Sequence, residues 1–221
     1  MKEFLLTKSN GRRLLEIAYA TLYPNKCLFC RRVLDNKQSF SCTNCQIAPA
    51  NDDHHAKSID QLHIPYAYED EVRNVVYRFK YGGAKSLAKP MAVAIYSCFP
   101  DIIGDFLVPV PLYVGRQKQR GFNQAAELAM ELSKLTKIPA VDGLQRLRDT
   151  VKQLNLSREQ RMENLSGAIA LKSGFCVEGK RIVLVDDIFT TGATAGECAN
   201  ALKTASATHV DLTAFAKVQS V

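Results

Sequence analysis

No stretch of this 221-residue chain approaches the roughly 20 consecutive apolar residues that a membrane-spanning helix needs. The apolar start Phe4-Leu5-Leu6 is interrupted on both sides by Lys2, Glu3 and Lys8, which is not the pattern of a secretory leader. The expectation is therefore a cytoplasmic protein with no membrane span. Also missing are a G-x-x-x-x-G-K-[ST] loop and a G-x-G-x-x-G turn, which removes the two commonest phosphate-binding signatures. There is no internal repeat and no low-complexity tract, so solenoid and linker-like architectures are out. Acids are in short supply, 22 against 29 Lys and Arg, and the formal net charge of +7 favours polyanionic partners: phosphorylated small molecules or nucleic acid. The seven cysteines are an odd number, and four of them cluster. A disulfide framework does not account for that; a reducing compartment and a metal do.

What is present suffices for one α/β core and a small module. Hydrophobic residues make up 47% of the chain. The expected division is 1–60, an amino-terminal helix and ribbon, and 61–221, the α/β domain. Leu14, Leu15, Ile17, Ala18 and Leu22 recur at helical spacing before Pro24 stops the pattern. Then come Cys27-Leu28-Phe29-Cys30 and Cys42-Thr43-Asn44-Cys45, two C-x-x-C knuckles that put four thiolates within tetrahedral reach of one zinc ion. Four sulfurs leave no open position, so Cys27, Cys30, Cys42 and Cys45 predict a structural zinc ribbon. Lys26, Arg31, Arg32 and Lys37 surround the knuckles with Phe29 and Phe40 between them, a pattern that fits either a solvated face or a nucleic-acid surface.

The most informative run is Arg181 to Thr194. Ile182 to Val185 is an unbroken apolar stretch, as in a strand buried on both faces of a parallel sheet, and it is followed directly by Asp186 and Asp187. Alternation along a strand sends those two carboxylates in different directions. Thr190, Thr191, Gly192, Ala193 and Thr194 then supply hydroxyls and a turn before a helical pattern, where unpaired amides suit a phosphate. Together they fit a sugar phosphate, hydroxyls on the acids and phosphate on the loop. Two plainer readings stand beside this: a strand exit followed by a Thr194-x-x-Glu197 capping box, or an acidic pair holding Mg²⁺.

Strands and helices alternate in the rest of the second domain, which predicts a parallel α/β core. Ile64 to Tyr68 and Phe106 to Pro111 read as strands. Val72, Val75, Val76 and Phe79 read as the buried stripe of a helix that ends at Tyr81-Gly82-Gly83. Lys80 sits at that end, where it could serve the helix dipole or reach an anion. Leu112 to Gln124 is expected to be a basic loop carrying Arg116 and Arg120, and 146–161 an irregular basic flap carrying Arg161. Gly167 to Leu171 and His209 to Ala216 complete the strands.

The run Val183-Leu184-Val185-Asp186-Asp187-Ile188-Phe189-Thr190-Thr191-Gly192-Ala193-Thr194 resembles the phosphoribosyl pyrophosphate (PRPP) motif of type I phosphoribosyltransferases. Further pieces are Phe79-Lys80-Tyr81-x-Gly83, Pro109-Val110-Pro111, Arg116-Gln117-x-x-x-Arg120-Gly121-Phe122-Asn123-Gln124, Gln153 and Arg161-x-x-Asn164. With the four-cysteine ribbon, the whole is similar to the ComF family, associated with DNA uptake in natural transformation. The resemblance implies a type I phosphoribosyltransferase-like parallel sheet, with Asp186 and Asp187 on the ribose hydroxyls and Thr190 to Thr194 on the 5′-phosphate. It also implies Mg²⁺ carried by PRPP, and Arg116, Arg120 and Arg161 on the pyrophosphate. Two expectations follow from different classes. One is a phosphoribosyltransferase serving DNA uptake with competence or DNA-processing proteins. The other is a non-catalytic PRPP-responsive protein that holds single-stranded DNA.

Overall fold

The computed structural model describes residues 25–34, 40–45, 47–51, 58–147 and 167–219. They fall into two compact units, divided between Gln46 and Ile47. The amino-terminal helix expected over 12–22 lies outside the described residues, as do Lys37 and most of the expected flap, including Gln153, Arg161 and Asn164.

In the smaller unit the chain doubles back around its cysteines. Lys26 and Val33 form an antiparallel bridge, and the turn between them closes through Arg31 N–H donating to Cys27 C=O at 3.0 Å. Leu28 N–H donates to Phe40 C=O at 2.9 Å, tying the first knuckle to the segment that leads into the second. So few residues make no large core, and cross-links between distant loops must substitute for one.

The larger unit runs β1 (Leu62–His63), β2 (Tyr66–Ala67), α1 (Asp70–Tyr81), α2 (Ala88–Cys98), β3 (Phe106–Pro109), α3 (Val114–Arg120), α4 (Gln124–Thr136), β4 (Leu144–Arg146), β5 (Ile169–Leu171), β6 (Arg181–Phe189), α5 (Ala193–Thr204) and β7 (His209–Lys217). The main sheet has the order β1-β7-β6-β3, with β2 also on β7, and every pairing in it is parallel. The expected parallel α/β core is therefore present. β4 and β5 form a separate antiparallel pair.

β6 and β7 are central, and their sequences say why. Ile182, Val183, Leu184 and Val185 are fully buried, as are Val210, Leu212, Ala214 and Phe215, as expected of strands covered on both faces, and the buried polar Asp211 and Thr213 of β7 are partnered by Arg181 and the His63 carbonyl. Ile182 and Leu184 join Ala195, Cys198 and Leu202 of α5 in one core cluster. On α1 the stripe Val72, Val75, Val76 and Phe79 is buried as its spacing predicts. Each such side chain contributes about 1.5–3 kcal/mol by leaving water.

β6 differs from expectation in length. The apolar run does not end the strand at Val185; the ladder continues to Phe189 because β7 still offers partners, Asp186 opposite Ala214 and Phe189 opposite Lys217. β3 does not continue with it. Its last partner pair is Pro109 with Val185, and proline cannot donate to a ladder. Past Val185, β6 thus keeps β7 on one side and loses β3 on the other, so the two acids lie on a stretch with one strand partner among the described residues. A 3₁₀ turn at Lys85–Leu87 leads into α2.

Candidate functional site

Asp186 and Asp187 are consecutive on β6, so they address opposite faces of the sheet. Asp187 faces α1: its Oδ2 lies 3.2 Å from Lys80 Nζ, with the carboxylate side chain 7% exposed and the lysine 18%. Oδ2 is buried and has no hydrogen-bond donor among the described residues. Asp186 Oδ1 accepts from the Asp187 backbone N–H at 2.8 Å. Asp186 retains some surface, but protein surrounds its carboxyl group closely. Burial, and then the neighbouring Asp187 charge, push its pKa well above the usual carboxylate range, with Lys80 and the Asp187 N–H pulling the other way. On the α5 side, burial and then the charge of Asp186 push the Cys198 thiol up in turn. Among the described residues, one lysine stands beside two carboxylates, which leaves them short of positive charge and donors. Hydroxyl groups supply donors without adding charge.

Five residues beyond Asp187, the chain turns sharply. Gly192 takes φ 74°, a left-handed conformation that side chains resist, and it caps the amino terminus of the 12-residue α5. Thr190 and Thr191 stand exposed on the approach, with Thr191 Oγ1 accepting from Ala193 N–H at 3.4 Å. The first helical bond runs from Gly196 N–H to Gly192 C=O at 2.7 Å. The alternative of a Thr194–Glu197 capping box is not formed. No side chain caps α5, and Glu197 Oε1 instead accepts from Gly167 N–H at 2.7 Å. The cap residue Gly192 offers no side-chain oxygen, so the macrodipole's positive end is met among the described residues only by the long Thr191 Oγ1 contact to Ala193 N–H.

The segment expected to be a basic loop is largely α3, a short helix with Gly121 at φ 83° as its left-handed stop. Arg120 is held from two directions. Nη1 donates to Gln124 Oε1 at 3.1 Å and Nη2 to Tyr81 Oη at 3.5 Å, and the guanidinium sits 5.2 Å from the Tyr81 ring centroid. Gln124 is itself 2% exposed. The next residue back from Tyr81 is Lys80, the partner of Asp187, so Arg120 is anchored to the helix end that serves the acids. Arg116 lies half-buried in the first turn of α3. Arg161 is outside the described residues. In the sequence, the Phe79-Lys80-Tyr81-x-Gly83 pattern is the signal that singles out Lys80, which the structure pairs with Asp187.

The four knuckle cysteines do meet. Cys27 and Cys45 sulfurs are 3.7 Å apart, Cys30 and Cys42 3.6 Å, and Cys42 and Cys45 3.6 Å. A tetrahedral ion with sulfur ligands at about 2.3 Å requires sulfurs about 3.8 Å apart. Burial raises the Cys27 thiol, but N–H groups of Cys42, Cys30 and Phe29 outweigh it and bring the pKa down to about 6. Cys45 is pushed up, by burial and then by the three neighbouring sulfurs. A set in which one thiolate is favoured and another opposed needs a central cation to ionise throughout. The donor set thus fits a metal ion.

No family model matches the sequence. Among curated proteins, competence protein F of Haemophilus influenzae is 32% identical over 157 residues, covering 66% of this chain and 68% of that protein. Competence protein ComFC of Bacillus subtilis is 35% identical over 132 residues, 58% of this chain and 52% of that one. The DNA utilization protein YhgH of Escherichia coli is 38% identical over 99 residues, 44% and 43% of the two chains. The chain thus spans about half the length of the latter two. Solved structures with some likeness include the glutamine PRPP amidotransferase of Bacillus subtilis, with a TM-score of 0.42 and 22% identity over 63% of this chain and 30% of that one. Another is the purine phosphoribosyltransferase of Pyrococcus horikoshii, with a TM-score of 0.36 and 18% identity over 59% and 74%. No helix among the described residues is long and apolar enough to cross a membrane. With 32% identity over 157 residues that span 68% of competence protein F, the chain belongs to the ComF family.

Proposed function

We propose that the Asp186–Thr194 segment binds Mg-PRPP and that the protein uses it in handling DNA during uptake. The observation that carries this is the run of two acids on an edge of the sheet without a strand partner into a left-handed glycine bend with exposed threonines and a helix start whose cap residue has no side-chain oxygen. In this reading Asp186 and Asp187 accept the ribose hydroxyls, and Thr190, Thr191, Gly192, Ala193 and Thr194 hold the 5′-phosphate. Lys80, Arg116 and Arg120 receive the pyrophosphate, Arg120 already oriented by Gln124. Mg²⁺ comes chiefly on the substrate's own oxygens. The four cysteines hold a structural zinc that stabilises the ribbon. The names of the relatives, competence proteins and a DNA utilization protein, support the DNA context.

If the bound PRPP reacts, the anomeric carbon loses pyrophosphate with positive charge growing on the sugar, and the two carboxylates favour that charge. A second reading keeps PRPP as a ligand only, with single-stranded DNA as the partner; exposed Lys26, Arg31 and Arg32 around the knuckles support a nucleic-acid role for the ribbon. Pyrophosphate release from PRPP and Mg²⁺ in the presence of single-stranded DNA or free bases separates the two. The pocket itself is tested by Asp186→Asn with Asp187→Asn: PRPP binding by calorimetry is expected to vanish while the circular dichroism spectrum is kept. Unchanged affinity would remove the assignment.

A further inference from the structure

On the solvent side of α1 two tyrosines stand a helical turn apart. Tyr77 is 63% exposed and Tyr81 58%, although both are large rings that a globular surface normally covers at least in part. They are not scattered. Their ring centroids are 5.2 Å apart with the planes at 47°, so the pair forms one aromatic step about 6 Å long along the helix axis. Cations flank it. Arg120 lies over the Tyr81 ring, and Arg73, on the same helical face one turn before Tyr77, lies 5.7 Å over the Tyr68 ring. Lys85, its side chain 60% exposed, follows past the helix end but is paired with Glu127 at 2.7 Å. Among the described residues of this helix the acids lie at its start, where Glu69, Asp70 and Glu71 close the stripe off.

We infer that Tyr77 and Tyr81, with Arg73 and Arg120 at their margins, form a stacking surface for the unpaired bases of a single-stranded nucleic acid, its strand running toward Lys80 and the Asp187 edge. This rests on the DNA-handling reading above and moves the strand contact from the ribbon to the α/β unit. The chemistry favours a single strand over an acidic peptide. Carboxylates would be satisfied by the arginines alone and give the exposed ring faces nothing to do. Unstacked bases use both the π-faces and the guanidinium planes. A duplex has its bases already stacked and offers only phosphates.

The test uses the full, zinc-loaded chain and a fluorescein-labelled oligothymidylate, read by anisotropy at fixed salt, with the matching duplex and polyglutamate as competitors. Tyr77→Ala is expected to weaken strand binding about tenfold, within the range known for losing one base–aromatic stack. Tyr77→Phe is expected to retain affinity, because the ring and not the hydroxyl is used. Affinity of Tyr77→Ala within twofold of the parent, equal losses for Ala and Phe, or displacement of the oligonucleotide by polyglutamate as effectively as by unlabelled strand would each overturn the inference. PRPP affinity measured on the same Tyr77→Ala sample keeps the two readings apart. Strand binding that depends on Tyr77 in a protein with no affinity for PRPP would sink the PRPP pocket and leave this surface standing.

Discussion

Removing Lys80 is expected to destabilise the α/β unit more than removing the carboxylate it faces. Asp187 is nearly closed off from water, Lys80 is its ion-pair partner at 3.2 Å, and Asp186 adds a second acid beside it. Lys80→Met keeps the aliphatic stem but leaves Asp187 buried without its cation. Breaking buried pairs in this way costs about 3–5 kcal/mol, and since Lys80 keeps some contact with water the lower end, about 3 kcal/mol, applies. Asp187→Asn instead removes one of two like charges and frees a lysine that can turn toward solvent, so its cost should stay under about 1 kcal/mol. The effect is also pH-dependent with a definite sign. The folded-state pKa of Asp186 is raised, so that group's contribution is most favourable at or below the ordinary carboxylate range and is lost as pH climbs through the window above it. Lys80 is among the groups holding that pKa down, so its removal should hurt more at pH 8 than at pH 5. The chain has no tryptophan, which makes far-UV circular dichroism the practical probe of thermal unfolding. About 3 kcal/mol corresponds to a Tm roughly 6–12 °C lower for a chain of this size. An Asp187→Asn variant that loses as much as Lys80→Met, or a Lys80→Met deficit that shrinks toward pH 8, would refute the argument.

Two further substitutions probe the other sites. Cys42→Ser should reduce zinc, read by atomic absorption, from one ion per chain to a small fraction and make the ribbon sensitive to protease, since structural zinc supplies about 10–16 kcal/mol to such modules; full zinc content in that variant would exclude a four-cysteine site. Gly192→Ala places a side chain at φ 74°, at a cost of about 1–2 kcal/mol, and should weaken PRPP binding about tenfold or more by calorimetry as the bend relaxes; an unchanged affinity would mean that the bend does not hold the phosphate.

The elements that can be read from the sequence are those whose side-chain pattern is local. The stripe Val72, Val75, Val76, Phe79 gives α1, and the two C-x-x-C knuckles give the sulfur cluster, because spacing alone brings those groups together. What could not be read depends on neighbours distant in the chain. β6 runs past its acids only because β7 is alongside to pair with it, and no property of Asp186 or Asp187 signals that. Thr194 and Glu197 have capping-box spacing, yet Glu197 is drawn to Gly167 N–H. The stretch holding Arg116 and Arg120 looks like a charged loop because it has almost no apolar face, and it is helical with no buried residue, closed by Gly121. β4 was not anticipated because it makes its antiparallel ladder with β5, which comes much later in the chain.

Two adjacent residues of one strand serve opposite layers of this molecule, Asp187 reaching Lys80 in the last turn of α1 and Asp186 the helix α5 capped by Gly192. Any occupant gripping both at once would lash those layers to each other through the thickness of the sheet. Amide exchange should then slow together in two helices that share no side chain, and a molecule touching one acid alone would quiet just one of them.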